Sequence, residues 1–336
     1  MDLMKIKNFS RKNKTLIIAE IGINHNGNLN LCKKMIIAAG KAGADAIKLQ
    51  SINPDSSYME NTSSYKIFKN KNFTFQQLIK IQNLCKKNNL IFFTTPGDIE
   101  TLNEIKKLNL DIYKISSGLF NNIPLILEIL KLKKPLILST GMAKKKEIDL
   151  IYKIVKNKIG NNFAILKCTA NYPCSDKNVN LNGIPFLLKN YKCEIGYSDH
   201  TKDDLAAISA VSLGATIIEK HFTIDQSLPG GDNHMSMIPK DFKIMVNKIR
   251  RVEEILGSGH LNPTKSEQKE RNLRYRFLVS KKLINKGDKI NIDNINMKRV
   301  NNFNKSFIPA IDFLKFNNKK INKKVLPNII LKKSMF

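Results

Sequence analysis

The sequence predicts a (β/α)8 (TIM) barrel followed by a small β-rich C-terminal domain. Three observations carry that prediction. Eight short apolar runs alternate with longer stretches of helical spacing through the first 256 residues, the number and length of units that such a barrel needs. No G-x-G-x-x-G follows the first run, which counts against an open doubly wound sheet. The tail from residue 277 changes to short alternating pieces with turn signals such as Lys286-Gly287-Asp288.

The runs are 16–20 (LIIAE), 45–50 (DAIKLQ), 90–95 (LIFFTT), 111–116 (DIYKIS), 135–140 (PLILST), 163–169 (FAILKCT), 193–198 (CEIGYS) and 216–222 (TIIEKHF). Between them, residues 28–41 put Leu31, Met35 and Ala38 on one stripe, and residues 74–88 do the same with Leu78, Ile81 and Leu84. Residues 203–213 and 240–255 read as helices by the same spacing. Residues 51–73 show no period and read as a long loop, a lid or substrate loop in such a fold. The division expected is therefore a barrel over 1–256, a polar Gly- and Pro-containing linker over 257–276 and a β-rich domain over 277–336.

The chain has 336 residues, with 57 Lys+Arg against 28 Asp+Glu, a formal net charge of +29. So strong a charge points to polyanions, yet the excess is nearly all Lys, spread along the chain beside abundant Asn and Ile, as AT-rich coding produces. Arg, which nucleic-acid readers favour for bidentate contacts, is scarce. No Arg-rich or aromatic-interleaved stripe exists, so neither nucleic acid nor membrane is expected as a partner. The cysteines Cys32, Cys85, Cys168, Cys174 and Cys193 form no C-x-x-C, and no apolar run approaches the length of a membrane span. A reducing, cytoplasmic setting is expected.

In a (β/α)8 barrel the site lies at the carboxyl ends of the strands. Here those ends carry Glu20, Lys48 and Gln50, Thr94 and Thr95, Lys114 with Ser116 and Ser117, Ser139 and Thr140, Lys167 and Thr169, Ser198-Asp199-His200, and Glu219-Lys220-His221. A Lys inside an apolar run is costly unless paired or facing a polar cavity. Lys48 and Lys114 with hydroxyls around them suit an anion bearing phosphate and carboxylate; a structural ion pair with Glu20 or Glu219 is the plainer alternative. His200 and His221 end adjacent strands, and two neutral imidazoles with oxygen ligands suit Mn²⁺, Fe²⁺, Co²⁺ or Zn²⁺ better than Mg²⁺. His25 lies in the first loop (GINHNG), and His260 reads as surface.

The segment IAEIGINHNGNLNLCKKMIIAAGKAGADAIKLQ resembles the start of the N-acetylneuraminate (sialic acid) synthase family, which includes legionaminate- and pseudaminate-type synthases. The likeness continues through YKISSG, PLILSTGM, KCTANYP, GYSDHT, LGATIIEKHFTID and PGGDNHMS, and KKLINKGDKINIDNINMKRV is similar to that family's antifreeze-like domain. The resemblance implies a TIM barrel joined to an antifreeze-like domain in a domain-swapped homodimer. It implies condensation of phosphoenolpyruvate with an N-acetylated hexosamine, N-acetylmannosamine or a 2,4-diacetamido relative, giving a nine-carbon 2-keto acid and phosphate. It implies a divalent metal, Mn²⁺ foremost, on His200 and His221. Lys48 and Lys114 match the phosphoenolpyruvate-binding lysines, with Ser117, Ser139 and Ser198 as hydroxyl donors, and Glu20 matches the Glu of A-E-I-G. Tyr172 and Asp232 match sugar-side positions, and Arg299 matches an Arg that reaches the partner protomer's site to hold the N-acetyl group.

The chain departs from that pattern at Leu119, where a Glu often faces sugar hydroxyls, and at Gly97, where T-P-F becomes T-P-G. His234 is displaced by one position within DNHMS, and G-I-P survives only as Phe307-Ile308-Pro309. These departures predict a sugar other than plain N-acetylmannosamine. The runner-up is a condensing barrel of the 3-deoxy-octulosonate phosphate type, which lacks such a tail.

Overall fold

In the computed structural model, which describes residues 14–301 and 303–336, the chain divides into two units, the first ending at Gly257 and the second running from Ser258 to Phe336. The N-terminal basic stretch, residues 1–13, lies outside the described residues.

The first unit is the barrel. Its strands are β1 (Leu16–Gly22), β2 (Ala46–Ser51), β3 (Ile91–Pro96), β4 (Tyr113–Ile115), β5 (Leu136–Ser139), β6 (Phe163–Cys168), β7 (Glu194–Asp199) and β8 (Ile217–His221). All ladders are parallel, in the order β3-β2-β1-β8-β7-β6-β5-β4. β3 and β4 meet across the closing seam, where the Ser116 hydroxyl donates to Thr95 Oγ1 at 3.3 Å.

The helices between them are α1 (Leu29–Lys41), α2 (Pro54–Ser57), α3 (Ser63–Phe68), α4 (Phe75–Lys87), α5 (Ile99–Ile105), α6 (Ile123–Lys131), α7 (Lys145–Ile159), α8 (Asp176–Val179), α9 (Gly183–Asn190), α10 (Leu205–Ser212) and α11 (Pro239–Leu256). Local chemistry starts several of them. The Asn28 side chain accepts from the N–H groups of Asn30 and Leu31 at the head of α1, and Thr74 with Gln77 closes a capping box on α4. The apolar stripes then face the sheet: Cys32, Met35, Ile36 and Ala39 from α1, and Leu78, Ile81 and Cys85 from α4, are buried in one continuous core.

Two expectations need correction. Residues 51–73 are not structureless: α2 and α3 lie there, started by Asn53 and by Thr62, whose side chains accept backbone N–H groups. They are too short to show a 3.6-residue period. The segment 257–276 likewise holds a helix, α12 (Lys265–Arg274), started by a Thr264/Glu267 capping box; it buries no residue, so no apolar stripe announces it.

At the amino ends of the strands a polar lock ties α11 to the sheet. Arg250 pairs with Asp45 at 2.8 Å and donates to the Thr15 carbonyl at 2.8 Å, while Asp45 also accepts the Ile17 N–H at 2.9 Å. This face serves stability and leaves the opposite mouth for chemistry.

The second unit carries β9 (Arg276–Ser280) and β10 (Ile295–Arg299), paired antiparallel, with isolated bridges such as Ile284↔Val325 and a small core of its own that includes Leu278, Ile284, Ile290, Ile295, Ile308, Ile321 and Leu331. No described helix is long and apolar enough to cross a membrane.

Gly196, inside β7, has no room for a side chain: a Cβ there would lie 2.5 Å from Leu166 Cδ2 and 2.5 Å from the Ile217 carbonyl oxygen. Gly196→Ala is expected to force β7 and β8 apart and cost about 1–3 kcal/mol, read as a lower unfolding midpoint in denaturant; an unchanged midpoint would contradict this packing.

Candidate active site

Successive side chains of a strand point to opposite faces. In β1, β2, β7 and β8 that alternation aims Glu20, Lys48, Ser198, Glu219 and His221 into the barrel, and strand register brings them together: Glu20 lies opposite Lys48 and His221, and Ser198 opposite Glu219. Lys48 Nζ lies 2.8 Å from Glu20 Oε2 and 3.4 Å from Glu219 Oε1. Lys114 Nζ lies 3.5 Å from the same Glu219 oxygen and donates to Ser139 Oγ at 2.7 Å. All four charged side chains are buried.

The alternative of a structural ion pair is thus present as geometry, with both carboxylates engaged at once. Two ammoniums share two carboxylates, and the carboxylates are unequal. Burial pushes Glu20 up to about 7, more than Lys48 pulls it down. Burial also opposes the charge on Glu219, but Lys114 and Lys48 outweigh it and hold Glu219 below the usual carboxylate range. Lys114 is pushed down to about 8, by burial first and by its neighbour Lys48. Near neutrality the cluster therefore gains a net positive charge whenever Glu20 holds its proton, which is a seat for an anion.

The hydroxyls differ in readiness. Ser139 accepts from Lys114 and keeps its O–H to donate, while Ser117 Oγ accepts the Gly141 N–H at 3.0 Å and turns its O–H to Cys168. Ser198 already donates to Glu219 at 3.2 Å and must exchange that bond to reach a ligand.

Beside this cluster stand the two imidazoles, ring centroids 5.3 Å apart. His200 Nδ1 lies 2.8 Å from the Thr169 carbonyl, which takes its N–H and leaves the lone pair on Nε2. Burial opposes protonation of His200, yet the Cys168 thiol at 3.9 Å and the Thr169 carbonyl outweigh it, so His200 sits above the ordinary histidine value. His221 sits well below it, through burial and then the charge of His200 and the lysines. His221 Nδ1, 3.6 Å from Asp232 Oδ2, and Glu219 Oε2 are buried without a hydrogen-bond partner. Two imidazoles with such orphaned atoms nearby fit a divalent cation whose remaining positions fall to water or substrate. Among the described residues no cluster of three or more His, Cys, Asp or Glu ligands occurs.

Tyr172 stacks on His200 with centroids 4.1 Å apart while remaining half exposed, so it walls the mouth. Asp232 is held by its backbone: its N–H donates to Asn24 Oδ1 at 2.8 Å and its carbonyl accepts from Ser236 Oγ at 2.7 Å. Asn24 is thereby the support of the eighth loop. His25 accepts the Gly27 N–H on Nδ1 and stacks on Phe73, and burial holds it down to about 4, a neutral structural ring.

Other polar strand ends fall outside this group. Lys167 donates to Thr169 Oγ1 at 2.6 Å and to the Val179 carbonyl, with Gly183 of α9 against its stem. Lys220 and Asp199 pair with each other on the face opposite the histidines. His234 and His260 are exposed, and Arg299 is exposed at the end of β10 in the second unit. Leu119 packs against the barrel's apolar core. At Gly97 a Cβ would meet Ile52 Cγ2 at 2.8 Å and Ser57 Oγ at 2.9 Å, so α2 occupies the space a larger residue needs.

A parallel eight-stranded barrel whose mouth holds a buried anion seat beside two imidazoles defines an enzyme of anionic substrates as its class. The comparisons make this specific. Residues 35–261 match the NeuB family, and the chain belongs to that family. It is 39% identical over 303 residues, 85% of this chain and 90% of the relative, to the N,N'-diacetyllegionaminic acid synthase of Campylobacter jejuni. The crystal structure of N-acetylneuraminic acid (sialic acid) synthetase from Leptospira borgpetersenii, in complex with citrate, aligns with a TM-score of 0.74 at 38% identity, covering 77% of this chain and 92% of that one. A putative spore coat polysaccharide biosynthesis protein E from Chromobacterium violaceum aligns with a TM-score of 0.84 at 25% identity, covering 96% and 99%.

Sulfate carries a fixed charge above pH 4 and so reads the seat alone. Its affinity is expected to fall as pH rises through about 7, where Glu20 loses its proton, and again through about 8, where Lys114 does. Calorimetry on Glu20→Gln should lose the first step and keep the second; two unchanged steps would contradict the assignment.

Proposed function

We propose that this chain is a nonulosonic acid synthase that condenses phosphoenolpyruvate with an N-acetylated hexosamine, yielding a nine-carbon 2-keto acid and phosphate. The observation that carries the reading is the shared carboxylate Glu219, which holds Lys48 and Lys114 within 3.5 Å as one doubly cationic seat beside His200 and His221. The match to synthases of legionaminic and sialic acids supports it.

In this reading Lys48 and Lys114 take the carboxylate and phosphate of phosphoenolpyruvate, with Ser117, Ser139 and, after releasing Glu219, Ser198 as donors. His200 and His221 would hold a divalent cation, Mn²⁺ foremost, which when bound supplies Lewis acidity to the sugar's open-chain carbonyl. The CH2 carbon of phosphoenolpyruvate attacks the aldehyde carbon, the double-bond electrons forming the new C–C bond, and the aldehyde oxygen takes up a proton to become a hydroxyl. Water adds at the phosphate-bearing carbon, which those electrons left electron-poor; one of its protons replaces the one taken by the aldehyde oxygen, the other goes with phosphate, which leaves with the electrons of its C–O bond as the ketone forms. Glu20, poised near 7, orients that water and accepts its proton. Tyr172 and Asp232 face the sugar.

The second unit is read as an antifreeze-like domain of a domain-swapped homodimer, in which Arg299 of one protomer holds the N-acetyl group in the other's site. The five unpaired cysteines support a reducing, cytoplasmic setting for the reaction. Leu119, a partly buried apolar residue where a sugar-facing Glu is common, favours a 2,4-diacetamido substrate over N-acetylmannosamine.

The test is a sugar panel with Mn²⁺ and phosphoenolpyruvate, read by phosphate release and product mass. A 2,4-diacetamido hexose should react faster than N-acetylmannosamine. Equal or better use of the latter sinks the substrate assignment, and preference for a phosphorylated aldose sinks the whole reading in favour of the octulosonate type. Arg299→Ala should raise the sugar KM at least about tenfold and leave that of phosphoenolpyruvate unchanged; an unchanged sugar KM refutes the cross-protomer role.

A further inference from the structure

The strand ends that carry the two imidazoles are joined by a contact that neither imidazole makes. Asp199 and Lys220 each precede one of the histidines, and they are register partners across β7 and β8. Alternation puts their side chains on the opposite face of the sheet from His200 and His221. There they form a fully buried ion pair, Lys220 Nζ to Asp199 Oδ2, at 2.7 Å.

Lys220 does more than neutralise Asp199. Its ammonium also donates to the Thr201 carbonyl at 2.6 Å and the Asp203 carbonyl at 2.8 Å, with the Thr201 hydroxyl at 3.3 Å. Asp199 Oδ1 accepts from the Tyr197 hydroxyl at 3.1 Å and from the Thr201 N–H at 2.8 Å. One cation thus gathers a carboxylate before His200 and two carbonyls after it, and fixes where the chain leaves β7. The backbone of each histidine is bonded as well: the His200 carbonyl accepts the Cys174 N–H at 2.8 Å, and the His221 carbonyl accepts the Met237 N–H at 2.8 Å. Beyond the β7–β8 ladder itself, the Asp199–Lys220 bond is the side-chain tie across the two strand ends.

A buried ion pair is a poor source of stability, since well-packed apolar residues commonly do as well; its attested use is to fix register. We propose that Asp199 and Lys220 are positioning residues that set the separation of His200 and His221 for a single divalent cation. This inference rests on the reading of those two histidines as metal ligands. Outer partners of metal ligands typically carry about 10–100-fold in metal affinity, although here the partner acts through the backbone and not through the ring.

The test compares the wild-type chain with Asp199→Asn/Lys220→Met, which removes both charges and strands neither. Mn²⁺ binding is read by the resonance of the free ion, sulfate binding by calorimetry as a report on the lysine seat, and folding by the melting temperature. The expected result is a Mn²⁺ Kd weakened about tenfold or more, with sulfate affinity and the melting transition retained. Lys220→Arg is the second variant. It keeps the buried charge, but its planar fork does not gather three acceptors at one point, and it should weaken Mn²⁺ at least about threefold without affecting sulfate. A Mn²⁺ Kd within about twofold of wild type in a folded variant overturns the proposal. So does a parallel loss of Mn²⁺, sulfate and melting temperature, which marks a merely structural pair. A wild-type chain that binds sulfate but no Mn²⁺ overturns the two-histidine reading and this inference with it, and that outcome is visible before any variant is made.

Discussion

Two ammonium groups buried in the bore of a barrel are the constraint on which the rest of this protein depends. Lys48 and Lys114 have given up their water, and both lean on the one carboxylate Glu219. A second carboxylate, Glu20, stands at Lys48, but burial brings it to the edge of protonation. Such a cluster is close to electrical balance without substrate and becomes a receptor when a proton is added or a carboxylate turns aside. A fully compensated quartet would be only structure, and an uncompensated pair of cations would be too expensive to bury. The same balance couples proton and anion occupancy between about pH 7 and 8, where Glu20 and Lys114 titrate.

Strand alternation decides which polar residues take part. It sends Glu20, Lys48, Ser198, Glu219 and His221 into the bore and sends Asp199 and Lys220 to the other side. From the sequence, residues 198–200 and 219–221 read alike as polar strand ends, yet neighbours in the chain have opposite duties. The inner set lines the bore, and the outer pair bonds to the backbone beyond β7. The loops follow the same division, with Tyr172 of the sixth and Asp232 of the eighth at the mouth and Asn24 of the first bracing Asp232.

Much of this is legible in the amino-acid sequence. The eight strands begin and end within two residues of the apolar runs, because runs buried on both faces leave a plain signal. Lys48 and Lys114 were conspicuous for the same reason, as charges where none belongs. Glu219 was legible only as a possible ion-pair partner: its role as the shared counter-charge depends on the register of β8 against β7 and on the reach of Lys114 from β4, neither of which a linear reading contains. The helices in 51–73 and 265–274 escaped because helices of a turn or two, or with no buried face, leave no period; their capping residues Asn53, Thr62 and Thr264 were the signal available. Arg299 shows the opposite case, a role implied by resemblance alone for a side chain exposed at the end of β10.

The central claim is that the Lys48–Lys114 cluster is the seat of phosphoenolpyruvate. The most direct measurement is calorimetric binding of phosphoenolpyruvate, without sugar, to the wild-type chain and to Lys114→Met, with circular dichroism confirming that both are folded. The account predicts saturable binding by the wild type and a Kd at least about tenfold weaker in the variant, since a buried charge-assisted contact to the ligand is lost. Equal affinity in two folded proteins would contradict it.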